Sequence, residues 1–105
     1  MCSNNFQDQV DAFVARCRVP LDLALGFGDG LAKGAPHFDR ACQTFGCTRD
    51  DLVFCGDSIA DYQLAAAGGL RFVARLGTFS AAAFAEVAPH APAIDAIADL
   101  LEIFV

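Results

Sequence analysis

The sequence predicts an α/β protein with parallel strands. Compact apolar runs at 21–27 (LDLALGF), 51–56 (DLVFCG) and 70–77 (LRFVARLG) alternate with stretches of helical periodicity. The run DLVFCG is continuously apolar rather than alternating, the pattern of a strand covered on both faces. Glycine and proline mark the joints between these stretches. Together they predict a parallel sheet of three to four strands flanked by helices, folded as one domain over 1–105.

Residues 5–18 (NFQDQVDAFVARCR) place Phe6, Val10, Phe13, Val14 and Cys17 at helical spacing, with Asn4 or Asn5 available as a cap. Pro20 ends that helix, and 21–27 follows as a short strand. The turn GDGLAKGAP leads into a helix started by Pro36, continued through 37–46 and closed by Gly46. After the 51–56 strand, 57–69 reads as a helix stopped by Gly68 and Gly69. A third strand, 70–77, precedes a short helix that Ser80 caps and that runs to about Val87. HAPAI (90–94) is a short extended piece before a last helix at 95–104.

Composition narrows the function classes. The chain has 105 residues, 55% hydrophobic, with 13 acidic and 7 basic side chains and a net charge of −6. Such an apolar fraction excludes a disordered segment. The negative balance, with Lys33 the sole lysine and six scattered arginines, argues against a nucleic-acid partner. No run of 18 apolar residues suggests a membrane span, and the polar opening MCSNNFQDQ does not read as a secretory leader. Five cysteines without a CxxC pair read as reduced thiols in a cytoplasmic protein, with Cys17, Cys42 and Cys55 as small buried hydrophobes.

The residues that carry chemistry gather where strands end. Asp57 follows the 51–56 strand and Asp61 lies four residues on, so the two carboxylates face one way along a first helical turn. Paired oxygen donors at a sheet mouth suit Mg²⁺. The competing reading is that Asp57 caps the helix and Asp61 favours its positive end. Lys33, in GLAKGAPHF, can offset phosphate charge or simply be solvated. Ser3, ahead of the first helix, can hydrogen-bond a phosphoryl oxygen or cap the helix. GFGDG (26–30) is turn chemistry and not a dinucleotide fingerprint, because Leu31 stands at the third glycine position. His37 and His90 read as packing or surface residues. Phe72, Phe79, Phe84 and Phe104 read as core, and the low-charge helix in 79–88 reads as buried or as a partner surface.

In this order and spacing, these features resemble the haloacid dehalogenase-like (HAD) superfamily, in particular its phosphatases of the phosphoglycolate-phosphatase type. DLVFCGDSIAD with LAAAGG and LRFVAR resembles the fourth motif of that family; LAKGAPHF resembles the third; CSNN resembles the end of the second. The resemblance implies Rossmann-like topology and four site residues. Ser3 would contact the transferring phosphoryl group, Lys33 would stabilise its charge, and Asp57 and Asp61 would hold Mg²⁺. A phosphorylated small molecule would be the substrate.

The first motif of the family, DxDGT or DxDxT, supplies the nucleophilic aspartate on the central strand, and no such stretch occurs in these 105 residues. The expectation is therefore a truncated HAD-like core, inactive in isolation. A homo-oligomer or a complementing chain would cover the gap left by the absent strand. The alternative is a non-catalytic oligomerisation or protein-interaction module derived from the same fold. A receiver-like phospho-acceptor domain fits less well, since Lys33 precedes Asp57.

Overall fold

A computed structural model describes residues 1–18 and 20–104, the side chain of Phe104 excepted. The chain divides into two compact units, Met1–Thr48 and Arg49–Val105. Both are α/β, with parallel strands flanked by helices, in sheets of two and three strands.

The first unit runs β1 (Cys2–Phe6), α1 (Gln7–Cys17), β2 (Leu25–Phe27) and α2 (Ala35–Phe45). β1 is a strand where the sequence suggested a helix cap. Its backbone pairs parallel with β2, Cys2 opposite Leu25 and Phe6 opposite Phe27, with one irregularity between. The Met1 amine donates to the Leu23 carbonyl at 2.8 Å, and the Leu25 N–H donates to the Met1 carbonyl at 2.9 Å. Pairing of the backbone thus overrides the polar side chains of Asn4 and Asn5.

Helix α1 consequently starts at Gln7 behind Phe6, with no side-chain cap from either asparagine. Gln7 ties its first turn to β2 instead. Its Nε2 donates to the Ala24 carbonyl at 3.1 Å, and its Oε1 accepts the Gly26 N–H at 2.7 Å. Gly26 has to be glycine: a Cβ there would stand 2.8 Å from both the Asn5 carbonyl oxygen and the Gln7 Cα. Of the expected apolar stripe only Val10 is buried; Phe6 is 60% and Phe13 43% exposed, and Cys17 is exposed rather than buried. On that helix Arg16 lies over the Phe13 ring, 5.9 Å from its centroid.

The strand expected over 21–27 shortens to its last three residues. Gly28 and Leu31 then close a tight turn, in which Asp29 takes φ 51°. Helix α2 has Pro36 in its first turn and ends on Gly46 at φ 63°, as the sequence predicts. Its first turn buries Phe38 and, completely, His37.

The second unit runs β3 (Val53–Gly56), α3 (Ile59–Gly68), β4 (Arg71–Arg75), α4 (Ala81–Val87), β5 (Ala93–Ile94) and α5 (Leu100–Phe104). The strand order is β3-β4-β5, all parallel, with Val53 opposite Arg71 and Ala74 opposite Ala93. Ser80 caps α4, its Oγ accepting the Ala83 N–H at 3.2 Å. The last helix is shorter than 95–104, because a 3-10 turn at Ile97–Asp99 precedes it and Asp99 Oδ2 accepts the Ala96 N–H at 3.1 Å.

The core of this unit is aromatic and aliphatic. Phe72 lies 5.5 Å from Tyr62 and 6.1 Å from Phe84, ring centre to ring centre, and Val73, Ala74 and Ile94 are also buried. Phe79 reaches Phe84 at 6.0 Å but stays 37% exposed, more open than the sequence suggests. Among the described residues, β3 pairs on one side only and forms an edge of its sheet. No helix is long and apolar enough to cross a membrane.

Candidate functional site

In the second unit, the C-terminal end of β3 delivers two carboxylates. Gly56 ends the strand, Asp57 follows it, and Ser58 begins α3. Ser58, and not Asp57, is the cap: its Oγ accepts the Asp61 N–H at 3.0 Å. Asp57 therefore lies outside the helix and exposed, where its Oδ2 accepts the Thr78 hydroxyl hydrogen at 2.9 Å. The two carboxylates do not share a helical turn as the i, i+4 spacing suggested.

Asp61 differs sharply from Asp57. It sits in the first turn of α3 and is only 4% exposed, favoured there by the positive end of the helix. It packs directly on Gly56: a Cβ at position 56 would come within 2.6 Å of the Asp61 Cβ and 2.7 Å of its Oδ2. The glycine of GDSIAD thus has a steric cause, letting a buried carboxylate rest on the strand end.

The half-buried Cys55 thiol senses this neighbourhood. Burial pushes its pKa up; Arg75 pulls it down, and the charges of Asp57 and Asp61 push it up again. Asp57, exposed after the strand, and Asp61, buried in the first turn of α3, both offer hard oxygen donors, the chemistry that suits a cation retaining its own waters. Among the described residues no group of three or more His, Cys, Asp or Glu side chains could hold a metal, so the set does not fit an all-protein cage.

Ser3 and Lys33 belong to the first unit. Ser3 lies within β1, and its Oγ accepts the Asn5 N–H at 3.0 Å, so it caps no helix. The backbone N–H of Lys33 donates to Asn4 Oδ1 at 2.8 Å, which ties the loop after β2 to the strand that carries Ser3. At the start of β1, burial raises the Cys2 thiol pKa, while the amino terminus and Lys33 lower it. Nearby, His37 Nε2 stands 2.8 Å from the Gly26 carbonyl oxygen. A carbonyl only accepts, so Nε2 carries the hydrogen; Nδ1 is buried with no hydrogen-bond partner among the described residues. His90 is exposed, on the loop before β5.

Sequence reading missed three contributors. Asn4 holds the Lys33 loop, Thr78 holds Asp57, and Gly56 makes room for Asp61. The available signal was topological: adjacent parallel strands bring their C-terminal loops together, so the residues after β4 fall beside Asp57. Comparison with protein-family models, with curated proteins and with solved structures gave no match.

Proposed function

We propose that this chain is part of a HAD-like phosphatase, carrying residues that bind phosphate and Mg²⁺ but not the nucleophile. The observation that carries the reading is the β3–α3 junction: a glycine-seated, buried Asp61 one turn beyond an exposed Asp57 at the end of a parallel strand. Open α/β sheets take ligands outside the carboxyl ends of their strands, which is where this pair lies. Asp57 and Asp61 would hold Mg²⁺, completing its shell with water and a phosphate oxygen. Bound there, Mg²⁺ would neutralise phosphate charge. By the same resemblance, Lys33 and Ser3 of the first unit would be phosphate-contacting residues.

Covalent transfer requires an in-line carboxylate and an acid for the leaving group. The 105 residues contain no DxDGT or DxDxT stretch to supply them, so we assign the chain no turnover by itself. The nucleophile would come from a strand outside these residues, and β3, paired on one side, offers an edge for parallel addition. The same open edge favours a second reading, a homo-oligomer or interaction module without catalysis. Exposed Phe45, Ile97 and Leu101 add to it.

The test is phosphate release from p-nitrophenyl phosphate, paired with Mg²⁺ titration followed by NMR. The chain alone should release no phosphate, while Mg²⁺ should shift the amides around Asp57 and Asp61, and Asp57→Asn should abolish those shifts. Robust Mg²⁺-dependent turnover that Asp57→Asn removes would contradict the absence of a nucleophile. A titration without shifts at these amides would contradict the metal assignment.

A further inference from the structure

The end of α2 brings two cysteines together, a feature the phosphate reading does not use. Cys42 lies in the last turn of the helix, and Cys47 is the first residue beyond Gly46. Both belong to the Met1–Thr48 unit and carry thiols. Gly46 takes the left-handed conformation, φ 63° and ψ 39°, and turns the chain back on the helix. The N–H groups of Gly46 and Cys47 consequently both donate to the Cys42 carbonyl oxygen, the second at 3.1 Å. A bond from the residue after the glycine into the last turn is that of a Schellman cap, whose two ends frequently bring their side chains into contact.

The separation suits a covalent link. With one hydrogen bond of 3.1 Å between the residues, standard bond lengths keep their Cα atoms within about 7 Å. Disulfides span Cα separations of about 4.4–6.8 Å. Burial follows the same pairing: Cys42 and Cys47 are half-buried, whereas Gln43, Thr44, Phe45 and Gly46 between them are exposed. Partial burial leaves both thiols within reach of a small reagent.

We propose that Cys42 and Cys47 are a redox-active dithiol, which glutathione disulfide converts to an intramolecular disulfide across the cap of α2. One cysteine thiolate attacks a sulfur of glutathione disulfide, whose S–S bond breaks and releases one glutathione. The second cysteine thiolate then attacks the protein sulfur of the mixed disulfide. The Cys42–Cys47 bond forms, and the second glutathione leaves. Two electrons pass from the protein to glutathione, and the two thiol protons end on the two glutathiones released. The new bond fastens the last turn of a helix whose first turn buries His37 and Phe38.

Trypsin makes the test direct. Cleavage after Arg40 and Arg49 releases peptide 41–49, which holds Cys42 and Cys47 and no other cysteine. The folded chain is equilibrated in glutathione buffers from reducing to oxidising, quenched, alkylated and mapped by mass spectrometry. Peptide 41–49 should lose two hydrogens and take no alkyl group. The constant for closing the pair should be at least about tenfold larger in the folded chain than in urea, a potential difference of about 30 mV. Gly46→Val strains the left-handed cap while its Cβ meets no neighbouring atom, and should bring the folded constant down to the unfolded one.

A peptide 41–49 that carries two alkyl groups or two glutathiones in every buffer overturns the dithiol. Cross-linking of either cysteine to Cys2, Cys17 or Cys55 instead overturns the pairing. Equal constants in the folded and urea-unfolded chains refute the role of the cap, since nearness in sequence would then suffice. A Gly46→Val chain that is folded by circular dichroism and keeps the original constant refutes it as well; if that variant does not fold, the comparison in urea decides.

Discussion

Gly56→Ala is the sharpest probe of the β3–α3 junction. The added Cβ would stand 2.6 Å from the Asp61 Cβ, 2.7 Å from Oδ2 and 2.9 Å from Cγ. Ordinary contacts between carbons lie at about 3.5–4.0 Å, so one side must move by roughly 1 Å. Asp61 is buried and its backbone N–H is held by Ser58, which leaves it little freedom to withdraw. Overpacking of this kind costs about 1–3 kcal/mol. Taking about 2 kcal/mol, and about 4–8 °C of Tm per kcal/mol for a domain of this size, thermal melting should fall by about 8–16 °C.

A double-mutant cycle with Asp61→Gly isolates the cause. The helix-propensity cost of glycine, about 1 kcal/mol, enters both arms with glycine at 61 and cancels. With the opposing side chain gone, alanine at 56 should be neutral or stabilising by about 0.4–1 kcal/mol, because Gly56 does not have positive φ. The sign of Gly56→Ala should therefore reverse between backgrounds. Equal destabilisation in both, with a coupling below about 0.5 kcal/mol, would refute the steric account.

Three further outcomes are expected. Ser58→Ala removes the cap of α3 and should cost about 1 kcal/mol, read as faster hydrogen exchange at the Asp61 amide; unchanged exchange would remove Ser58 from that role. His37→Leu removes the hydrogen bond to the Gly26 carbonyl from a fully buried site. The urea midpoint should fall by the equivalent of about 1–3 kcal/mol, and an unaltered midpoint would contradict the pairing. Burial raises the Cys55 and Cys2 thiol pKa values, so the folded protein retains protons that the unfolded chain releases. Their contribution to stability is thus full below the ordinary thiol pKa and lost as pH rises through the folded values. At mildly alkaline pH iodoacetamide should modify exposed Cys17 before Cys55; the reverse order would refute the shielding of Cys55.

Much of the helix framework was legible because punctuation residues act locally. Pro36 and Gly46 bracket α2, Gly69 ends α3 at φ 75°, and Ser80 opens α4. β1 was not legible. Its Ser-Asn-Asn stretch has no apolar alternation, and what makes it a strand is the backbone of β2, distant in sequence. The apolar spacing of α1 promised a buried stripe, but burial depends on what packs against the helix, and of that stripe Val10 alone is buried and Val14 partly so.

Asp57 and Asp61 could be singled out because a catalytic position in this fold class follows an apolar strand. Their unequal burial could not, since it comes from Ser58 capping the helix one residue later than expected. Thr78 and Asn4 were invisible for a similar reason: each acts across a parallel crossover, and no local pattern marks the partner.

Every strand pair in both units joins neighbours in the chain, across a single crossover that contains one helix: α1 between β1 and β2, α3 between β3 and β4, α4 between β4 and β5. Loop-closure entropy is therefore modest for each pairing, and no strand has to wait for a remote segment before it can dock. During synthesis the Met1–Thr48 unit can complete its own pairing before the Asp57 loop has left the ribosome. Assembly would thus run in the order of translation.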